Sequence, residues 1–424
     1  MKKLKSSLVI MTILISSFNS ICMSANASSS EDIANIGTNL LRSLLERQYE
    51  SFIAGSECLT SDIMTDSKSN DFYKLFLKWY SGSSAMLGES WTDYDYNLEL
   101  NKVDGYNLHF SNNVEYWVKD CVFKWSNSNI SYDITIGKQG ENFFITDITT
   151  TTGDFNDFKD LLNYKKNENG NSAKSLVSDD IYVNDLIEDA KKLKISIENN
   201  RTNEKDVVNM EQQHQEYLGN GDSISPLSTA YSYVGERGRA YADIYATSPN
   251  PCFYSAGSDC TNFVSQCIWA AYGGWTSGDS ESTMATNIRN KKRMQSSSSM
   301  SNWFAGSGGG GTPWESVTGL WNFLNTTNST GPRATKHNNN SIYTNIYPGD
   351  ILTGQVLQVR RGSTGDYGHS VYVAGGINDS YNNIKVAQHT DNRIRSLSNL
   401  INAWGGDNCY MRQLKFQTAY FNKW

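Results

Sequence analysis

One cysteine in this 424-residue chain stands where its thiol could act as a nucleophile. Cys260 follows Ser258 and Asp259, either of which can cap a helix and place the cysteine in its first turn. A helix N-terminus stabilises anions and lowers the pKa of a thiol, as a nucleophilic cysteine requires. Cys267 lies two turns further on, and we interpret it as a core residue. The pattern therefore predicts a nucleophile at Cys260.

A histidine at the start of a predicted strand is the candidate base. His369 follows a polar, glycine-containing turn and opens the alternating run His369–Ala374. From there it can face a helix N-terminus across a cleft and accept the thiol proton. The next predicted strand, Ile384–His389, ends in Gln388 and His389, either of which can hydrogen-bond the imidazole as a third residue. No CxxC or HxxxH spacing occurs, so we expect neither a metal site nor a cofactor.

The elements that must position these residues follow from hydrophobic periodicity. Helical spacing predicts helices at Ile33–Ala54, Asp71–Ser81, Asp154–Tyr164 and Ala230–Tyr245. Between the second and third of these helices the period changes to two, which predicts a meander of strands. These are Tyr94–Val103, Tyr106–Phe110, Val114–Trp125, Ile130–Gln139 and Glu141–Thr149. The N-terminal half is therefore predicted to be an α+β domain with a curved sheet.

Charge divides the chain into unlike segments. The overall net charge is −7, but residues 228–424 hold 16 Lys and Arg against 11 Asp and Glu, a net of +5. Residues 28–227 hold 18 basic and 33 acidic residues, a net of −15. The acidic balance argues against a general nucleic-acid binder, and the two halves should meet different partners. A hydrophobic content of 38% excludes wholesale disorder.

The N-terminal residues predict export. Met1–Lys5 is basic, Leu8–Phe18 is apolar, and Ala25-Asn26-Ala27 fits a signal-peptidase site, so we expect cleavage after Ala27. No later apolar run is long enough to span a bilayer. The predicted organisation is a signal peptide at 1–27, an α+β domain at 28–164, a charged linker and helix at 165–227, and a second domain at 228–424. We expect a secreted or cell-wall-associated protein.

Six cysteines remain after this cleavage, and an exported chain can pair some of them. Cys58 with Cys121, and Cys252 with Cys409, are candidate pairs, although connectivity cannot be deduced from sequence. If Cys260 stays a free thiol, at least one other cysteine must also be unpaired within the monomer.

The C-terminal motifs resemble those of the putative amidase domain family of bacterial secreted proteins, a branch of the papain-like cysteine hydrolases related to CHAP and NlpC-type domains. The motifs occur in family order and cover about residues 228–424: Asp259–Gln266, Trp314–Leu324, Gly349-Asp350, His369-Ser370 and Gln388–Thr390. The resemblance implies a nucleophile-bearing helix packed on a small antiparallel sheet that supplies the base. It also implies amide hydrolysis through a thioester.

The resemblance also implies roles for single residues. Cys260 would be the nucleophile and His369 the base and later the acid. Relatives place the third residue one strand after the histidine. There His389 is favoured because an imidazole can accept the N–H of its partner, and Gln388 comes second. Asp259 is interpreted as a helix cap or a substrate-orienting carboxylate.

Two further expectations complete this assignment. Asn262 belongs to the same motif as Cys260 and is a candidate supporting residue. The backbone N–H of Cys260 is a natural oxyanion donor.

The N-terminal order of two helices and a meander resembles the cone-shaped domains of the nuclear-transport-factor-two-like (SnoaL-like) superfamily.

The leading hypothesis is an exported cysteine amidase or peptidase that acts on cell-wall peptidoglycan or peptide substrates. A net charge of +5 suits an anionic wall, and tyrosines and tryptophans suit sugars or stem peptides. One alternative is a secreted binding or adhesion module whose amidase domain is inactive. Another is a deamidase or toxin that modifies a protein with the same residues.

Overall fold

The computed structural model describes residues 29–121, 123–168, 179–199, 228–295, 303–390 and 392–422. The predicted signal peptide lies outside the described residues, as do positions 169–178 and 200–227 of the predicted linker. The fold is α+β, as predicted, with helices packed on antiparallel strands. Within the described residues, no helix is long and apolar enough to cross a membrane.

The N-terminal half contains a four-stranded meander covered by helices. Its elements are α1 (Ser30–Ala54), α2 (Lys68–Leu87), β1 (Trp91–Asp104), β2 (Asn107–Val118), β3 (Lys124–Gln139), β4 (Asn142–Thr150), α3 (Gly153–Glu168) and α4 (Asp179–Asn199). The start of α1 is fixed by a capping box in which Ser29 and Asp32 bond each other's backbone N–H. The helix ends at Gly55, whose φ of 60° requires glycine's freedom.

The prediction of separate strands at Tyr106–Phe110 and Val114–Trp125 is wrong. Asn107–Val118 form one strand, β2, and Lys124 and Trp125 are the first residues of β3. A bulge between Asn112 and Val114 lets β2 continue across the polar residues at its centre. The side-chain N–H of buried Asn112 donates to the Tyr49 hydroxyl at 3.0 Å, so this polar residue has a partner inside the core and does not end the strand.

The C-terminal half supplies the remaining strands and helices. They are β5 (Ser228–Tyr231), α5 (Gly235–Tyr245), α6 (Cys260–Ala271), α7 (Glu281–Arg289), β6 (Ala305–Gly306), β7 (Gly309–Gly310), α8 (Thr312–Glu315), α9 (Val317–Phe323), β8 (Gly331–His337), β9 (Val356–Arg361), β10 (His369–Gly376), β11 (Ile384–Gln388), β12 (Arg393–Ser396), α10 (Leu397–Ala403) and β13 (Cys409–Asn422). The helix predicted at Ala230–Tyr245 begins only at Gly235, because the residues before it pair with β13 as β5.

The two halves share one sheet. Its order is β1-β2-β3-β12-β11-β10-β9-β13-β5, with β4 beside β3 and β8 beside β13. The halves join where β3 pairs with β12, through Asn127–Arg393 and Ser126–Ile394. The predicted boundaries at 164 and 228 remain a prediction, and the sheet runs across them.

Helix α4 also bridges the halves. Its apolar stripe is buried, with Val183 and Leu186 in the N-terminal core and Ala190, Leu193 and Ile197 in the C-terminal core. The narrow apolar stripe of α4 therefore packs against both the N-terminal and the C-terminal core. The charged residues of the helix face outward.

The site-bearing elements pack against the middle of the C-terminal sheet. Helix α6 is buried along its whole length, with Phe263, Val264 and Ile268 in the core beneath Tyr372 of β10 and Ala387 of β11. The opposite face of β10 and β11 carries Val371, Val373 and Val386, which pack with α10. Each strand therefore presents alternate residues to two separate cores.

Candidate active site

The first residue of α6 is Cys260, and the first residue of β10 is His369. Asp259 occupies the N-cap position, but its side chain makes no capping hydrogen bond. The helix start faces the start of the strand, and both side chains are largely covered, each residue being 6% exposed. The structure thus brings together the two residues predicted to be nucleophile and base.

His369 alters the acidity of Cys260. Burial alone would raise the pKa of the thiol, but the positive charge of His369 and its side-chain hydrogen bond to Cys260 act against burial. The backbone N–H of Ser370 and the Thr261 hydroxyl, 3.7 Å from Sγ, also stabilise the thiolate. The net result is a pKa below the usual value for cysteine. The geometry favours a thiolate–imidazolium pair.

The other side of the His369 imidazole has one ring contact and one unused nitrogen. The ring stacks on Trp404, with centroids 5.5 Å apart and planes 12° apart. Its Nε2 is buried and has no hydrogen-bond partner in the described part of the chain. That nitrogen is the position at which a third, orienting residue would bind.

His389 does not hydrogen-bond to His369. Its Nδ1 lies 2.7 Å from Asp259 Oδ2, its Nε2 lies 2.7 Å from the carbonyl oxygen of Tyr245, and its ring stacks on Phe263. Both partners are acceptors when Asp259 is ionised, so both ring nitrogens then donate and the pair is imidazolium and carboxylate. His389 therefore holds the loop before the nucleophile.

Strand alternation explains this arrangement. Tyr372 pairs with Ala387 and Val373 with Val386, so residues 369, 371, 373, 386 and 388 share one face of the sheet. Gln388 therefore lies on the same face as His369, whereas His389 points to the opposite face with Ala387. Gln388 is 2% exposed, and its Oε1 accepts a hydrogen bond from Arg395 Nε at 3.1 Å.

Asp259 and Asn262 form the base of the nucleophile loop. Asp259 Oδ1 accepts hydrogen bonds from the Ala256 N–H at 3.0 Å and from Asn262 Nδ2 at 2.8 Å. Asn262 Nδ2 also donates to the Tyr254 carbonyl, and its Oδ1 accepts from Trp314 Nε1 at 2.7 Å. The Asp259, Asn262 and Trp314 positions of the sequence motifs thus meet in one buried network that fixes the start of α6.

Sequence reasoning missed a polar row that runs sideways from the nucleophile. Thr261 Oγ1 lies 3.1 Å from Ser370 Oγ, and Gln358 Nε2 donates to that same Ser370 oxygen at 3.1 Å. Gln358 Oε1 then accepts from Arg412 Nε at 2.7 Å. The available signal was Gln358 within the otherwise apolar run Val356–Val359, where a buried polar side chain needs a partner.

The other cysteines differ from Cys260. Burial raises the pKa of Cys58 to about 11 and of Cys409 to about 12, and raises that of Cys267 well above its ordinary value. All six cysteines in the described residues are free, so neither candidate disulfide is present there. No group of three or more His, Cys, Asp or Glu side chains in those same residues is arranged to hold a metal ion.

Comparison with known proteins agrees with the motifs. Residues 232–412 match a family model described as "Putative amidase domain", a stretch that contains Cys260, His369, Gln388 and His389. No curated protein and no solved structure matches the chain. The resemblance of the C-terminal half to this family is therefore confirmed, and it supports a general amidase or hydrolase role. The likeness to CHAP, NlpC-type and SnoaL-like domains stays a prediction.

Proposed function

We propose that this chain, whose C-terminal half contains a domain of the putative amidase family, is a secreted cysteine amidohydrolase or peptidase. Its proposed substrates are amide or peptide bonds of cell-wall peptidoglycan. The observation that carries the proposal is the Cys260 thiol at the start of α6, hydrogen-bonded to His369 and acidified by it, inside the matched region.

The proposed mechanism uses these residues in two stages. His369 takes the thiol proton, and Sγ of Cys260 attacks the carbonyl carbon. The backbone N–H of Cys260 donates to the oxyanion that forms. Collapse breaks the C–N bond and leaves a thioester, while His369 gives its proton to the departing amine. Water, deprotonated by His369, then attacks the thioester, releasing the acid and restoring the thiol.

For the third residue the geometry supports Gln388 over His389. Gln388 shares a sheet face with His369, whose buried Nε2 has no partner in the described residues. His389 already uses both nitrogens, on Asp259 and on the Tyr245 carbonyl. We therefore assign His389 and Asp259 the task of positioning the nucleophile loop, and Gln388 that of orienting the base.

Several features support a wall substrate and a papain-like arrangement. Helix α6 packs on the antiparallel strands β10 and β11, which is the arrangement that the resemblance implies. Tyr254 is 48% exposed, and its backbone carbonyl accepts a hydrogen bond from Asn262 in the nucleophile loop. Its ring could stack on a sugar or peptide. The basic C-terminal half favours an anionic polymer, and the N-terminal residues favour export.

Release of new amines from purified peptidoglycan and from stem peptides tests the proposal. The purified 28–424 chain should release amines and no reducing sugars, and Cys260→Ala should lower the rate by about 10³-fold or more. Cys252→Ser is the matched control and should retain activity, because Cys252 lies in a loop with a raised pKa.

If Cys260→Ala and the wild type behave alike on every substrate, the enzyme proposal is lost. Binding of the wall without cleavage would then favour the secreted binding module. Ammonia release from glutamine side chains of a protein, dependent on Cys260, would favour the deamidase instead.

A further inference from the structure

A buried arginine lies at the far end of the polar row that starts at the nucleophile. Ser370 pairs with Gln358, and Gln358 pairs with Arg412 on the next strand, so all three share one face of the sheet. Neighbouring strands are about 4.8 Å apart, which puts the Arg412 backbone about 10 Å from that of Ser370. Hydrogen bonds connect the row from Thr261 to Arg412.

Arg412 is a buried cation without an anion. It is 5% exposed, and its guanidinium lies between the rings of Trp321, at 4.0 Å, and Tyr367, at 3.9 Å. Its Nε and Nη1 donate to the neutral oxygens of Gln358 and Asn339, the latter at 3.2 Å. Among the described residues it has no ion pair, and its buried Nη2 has no hydrogen-bond partner.

More positive charge surrounds the same aromatic rings. Arg360, 7% exposed, lies 4.9 Å from the Tyr367 ring and also has no ion pair within the described ranges. Lys336 lies 5.3 Å from the Trp321 ring. Burial and the charge of Arg360 lower the pKa of Arg412 to about 10 against the opposing effects of Tyr367 and Asp366, so Arg412 remains charged at neutral pH. A buried charge without a direct ion pair costs several kcal/mol, which an anionic ligand in contact with it would offset.

The position of this cluster ties it to the active site. Tyr367, which covers one side of the Arg412 guanidinium, lies two residues before His369. The single side-chain oxygen on Nη1 comes from Asn339, in an exposed segment. A carboxylate could replace that oxygen and also accept from Nη2, giving the two parallel hydrogen bonds that arginine and carboxylate favour.

We propose that Arg412, with Arg360 beside it, forms an anion-binding subsite that receives a carboxylate of the substrate. The inference rests on the proposed function, and it names the substrate class as an amide or peptide with a free carboxylate near the cleaved bond. An extended chain covers about 3.3–3.6 Å per residue, so roughly three residues separate that bond from the carboxylate.

Matched affinity reagents test the subsite. Iodoacetyl-glycyl-glycine alkylates a thiol and carries a carboxylate at the distance of the subsite, whereas its C-terminal carboxamide has the same shape without charge. The rate of Cys260 alkylation in the 28–424 chain, followed by mass spectrometry and normalised to free cysteine, should be about tenfold higher for the carboxylate. Added salt should reduce the preference.

Variants of Arg412 test whether this residue causes the preference for the carboxylate reagent. Arg412→Gln should abolish it, and Arg412→Lys, which keeps the charge without the planar donor pair, should leave an intermediate value. Arg333→Gln is the matched control, because Arg333 also stacks on a ring, Tyr420 at 4.6 Å, but lies on β8 away from Cys260. It should retain the full preference.

The outcomes separate the two proposals. Equal rates for both reagents in the wild type, or a preference that survives Arg412→Gln, overturn the subsite while Cys260 remains a reactive nucleophile. A Cys260 that reacts with neither reagent refutes the cysteine enzyme and the subsite with it. If circular dichroism shows that Arg412→Gln is unfolded, the subsite is tested by the wild-type rate ratio, by the salt dependence of that ratio and by the ratio measured for Arg412→Lys.

Discussion

The proton shared by Cys260 and His369 determines how the site responds to pH. Burial raises the pKa of the thiol, and the charge and hydrogen bond of His369, together with the Ser370 N–H and the Thr261 hydroxyl, lower it by more in total. Removing the imidazole leaves burial largely unopposed, so the thiol pKa must rise. Thiolate reactivity at neutral pH is therefore a property of the pair rather than of the helix start alone.

The first prediction concerns alkylation of Cys260 by iodoacetamide between pH 5 and 10. The wild-type rate should reach half its maximum below about 8.5, the value of an ordinary thiol, and His369→Gln should move that midpoint upward. Peptide mapping isolates Cys260 from the other thiols, and Cys252→Ser should leave its curve unchanged. A midpoint that is the same with and without His369 would contradict the pairing.

The second prediction separates His389 from Gln388. His389→Gln leaves the Asp259 carboxylate buried without its cation, which should lower the free energy of unfolding by about 3–5 kcal/mol. Adding Asp259→Asn should recover part of that loss, because two neutral amides then face each other. Urea unfolding of both single variants and the double variant measures the coupling.

Gln388→Ala should act differently. It should lower the turnover rate and shift its pH profile, because the residue proposed to orient the His369 imidazole would be absent. Loss of stability alone, with an unchanged pH profile in the folded variant, would return the third role to His389. Additive effects of His389→Gln and Asp259→Asn on stability would show that the buried pair does not act as a unit.

At the scale of elements, the sequence was informative where the signal is local. Periodicity and candidate capping residues predicted Cys260 in the first turn of a helix, a strand that starts at His369 and a strand over Ile384–His389, which in the structure ends at Gln388. The choice between Gln388 and His389 depends on the register of β11 against β10, which is a nonlocal property. The polar row to Arg412 requires the order of β10, β9 and β13, which no local pattern encodes.

The pairing of β12 with β3 is also nonlocal, and it buries two arginines. Arg393 and Arg395 are each 1% exposed; Arg393 bonds Asp154 at 2.5 Å and Asp157, and Arg395 bonds Asp157 at 2.9 Å. Burial raises the pKa of Asp157, but the two arginines and Arg361 outweigh it, so the pKa lies well below its ordinary value. This carboxylate therefore stabilises the junction when it is ionised.

The third prediction follows from that depressed pKa. A carboxylate with a lowered pKa contributes stability above its unfolded value, about 3.9, and loses it as the pH falls toward the folded value. Asp157→Asn should lower the free energy of unfolding by about 3–5 kcal/mol at pH 7, and the difference from wild type should shrink at pH 3. Urea titrations at both pH values measure it.

An exposed pair supplies the control for this prediction. Asp62, 64% exposed, bonds Arg47 at 2.5 Å on the surface, and Asp62→Asn should cost less than about 1 kcal/mol. Glu89 is buried near the same junction and has a raised pKa, so its contribution to stability is present at low pH and is lost as the pH rises. Both Asp157→Asn and the wild type contain Glu89, so its contribution cancels from the difference between their free energies of unfolding. An equal difference at pH 7 and pH 3 would contradict the assignment.

At the scale of the molecule, the acidic and basic halves meet at this junction. Asp160 of α3 lies 3.7 Å from Arg361, whose guanidinium lies 4.4 Å from the Trp404 ring, and the His369 ring also stacks on Trp404. The N-terminal half therefore supports the ring against which the base is held. The shared sheet, the buried stripe of α4 and these ion pairs all resist separation of the halves.

The final prediction is that the 28–424 chain unfolds as one unit although its sequence divides into two regions. Calorimetry should give a single transition with equal calorimetric and van't Hoff enthalpies. The 228–424 fragment alone would expose the edge of β12 and leave Arg393 and Arg395 without their carboxylates, so it should aggregate or unfold at a lower temperature. Even if folded, it should alkylate Cys260 more slowly, because Arg361 and Trp404 lose the support of Asp160. Two separate transitions in the full chain, with a fragment as reactive as the whole, would show that the junction is a contact between independent domains.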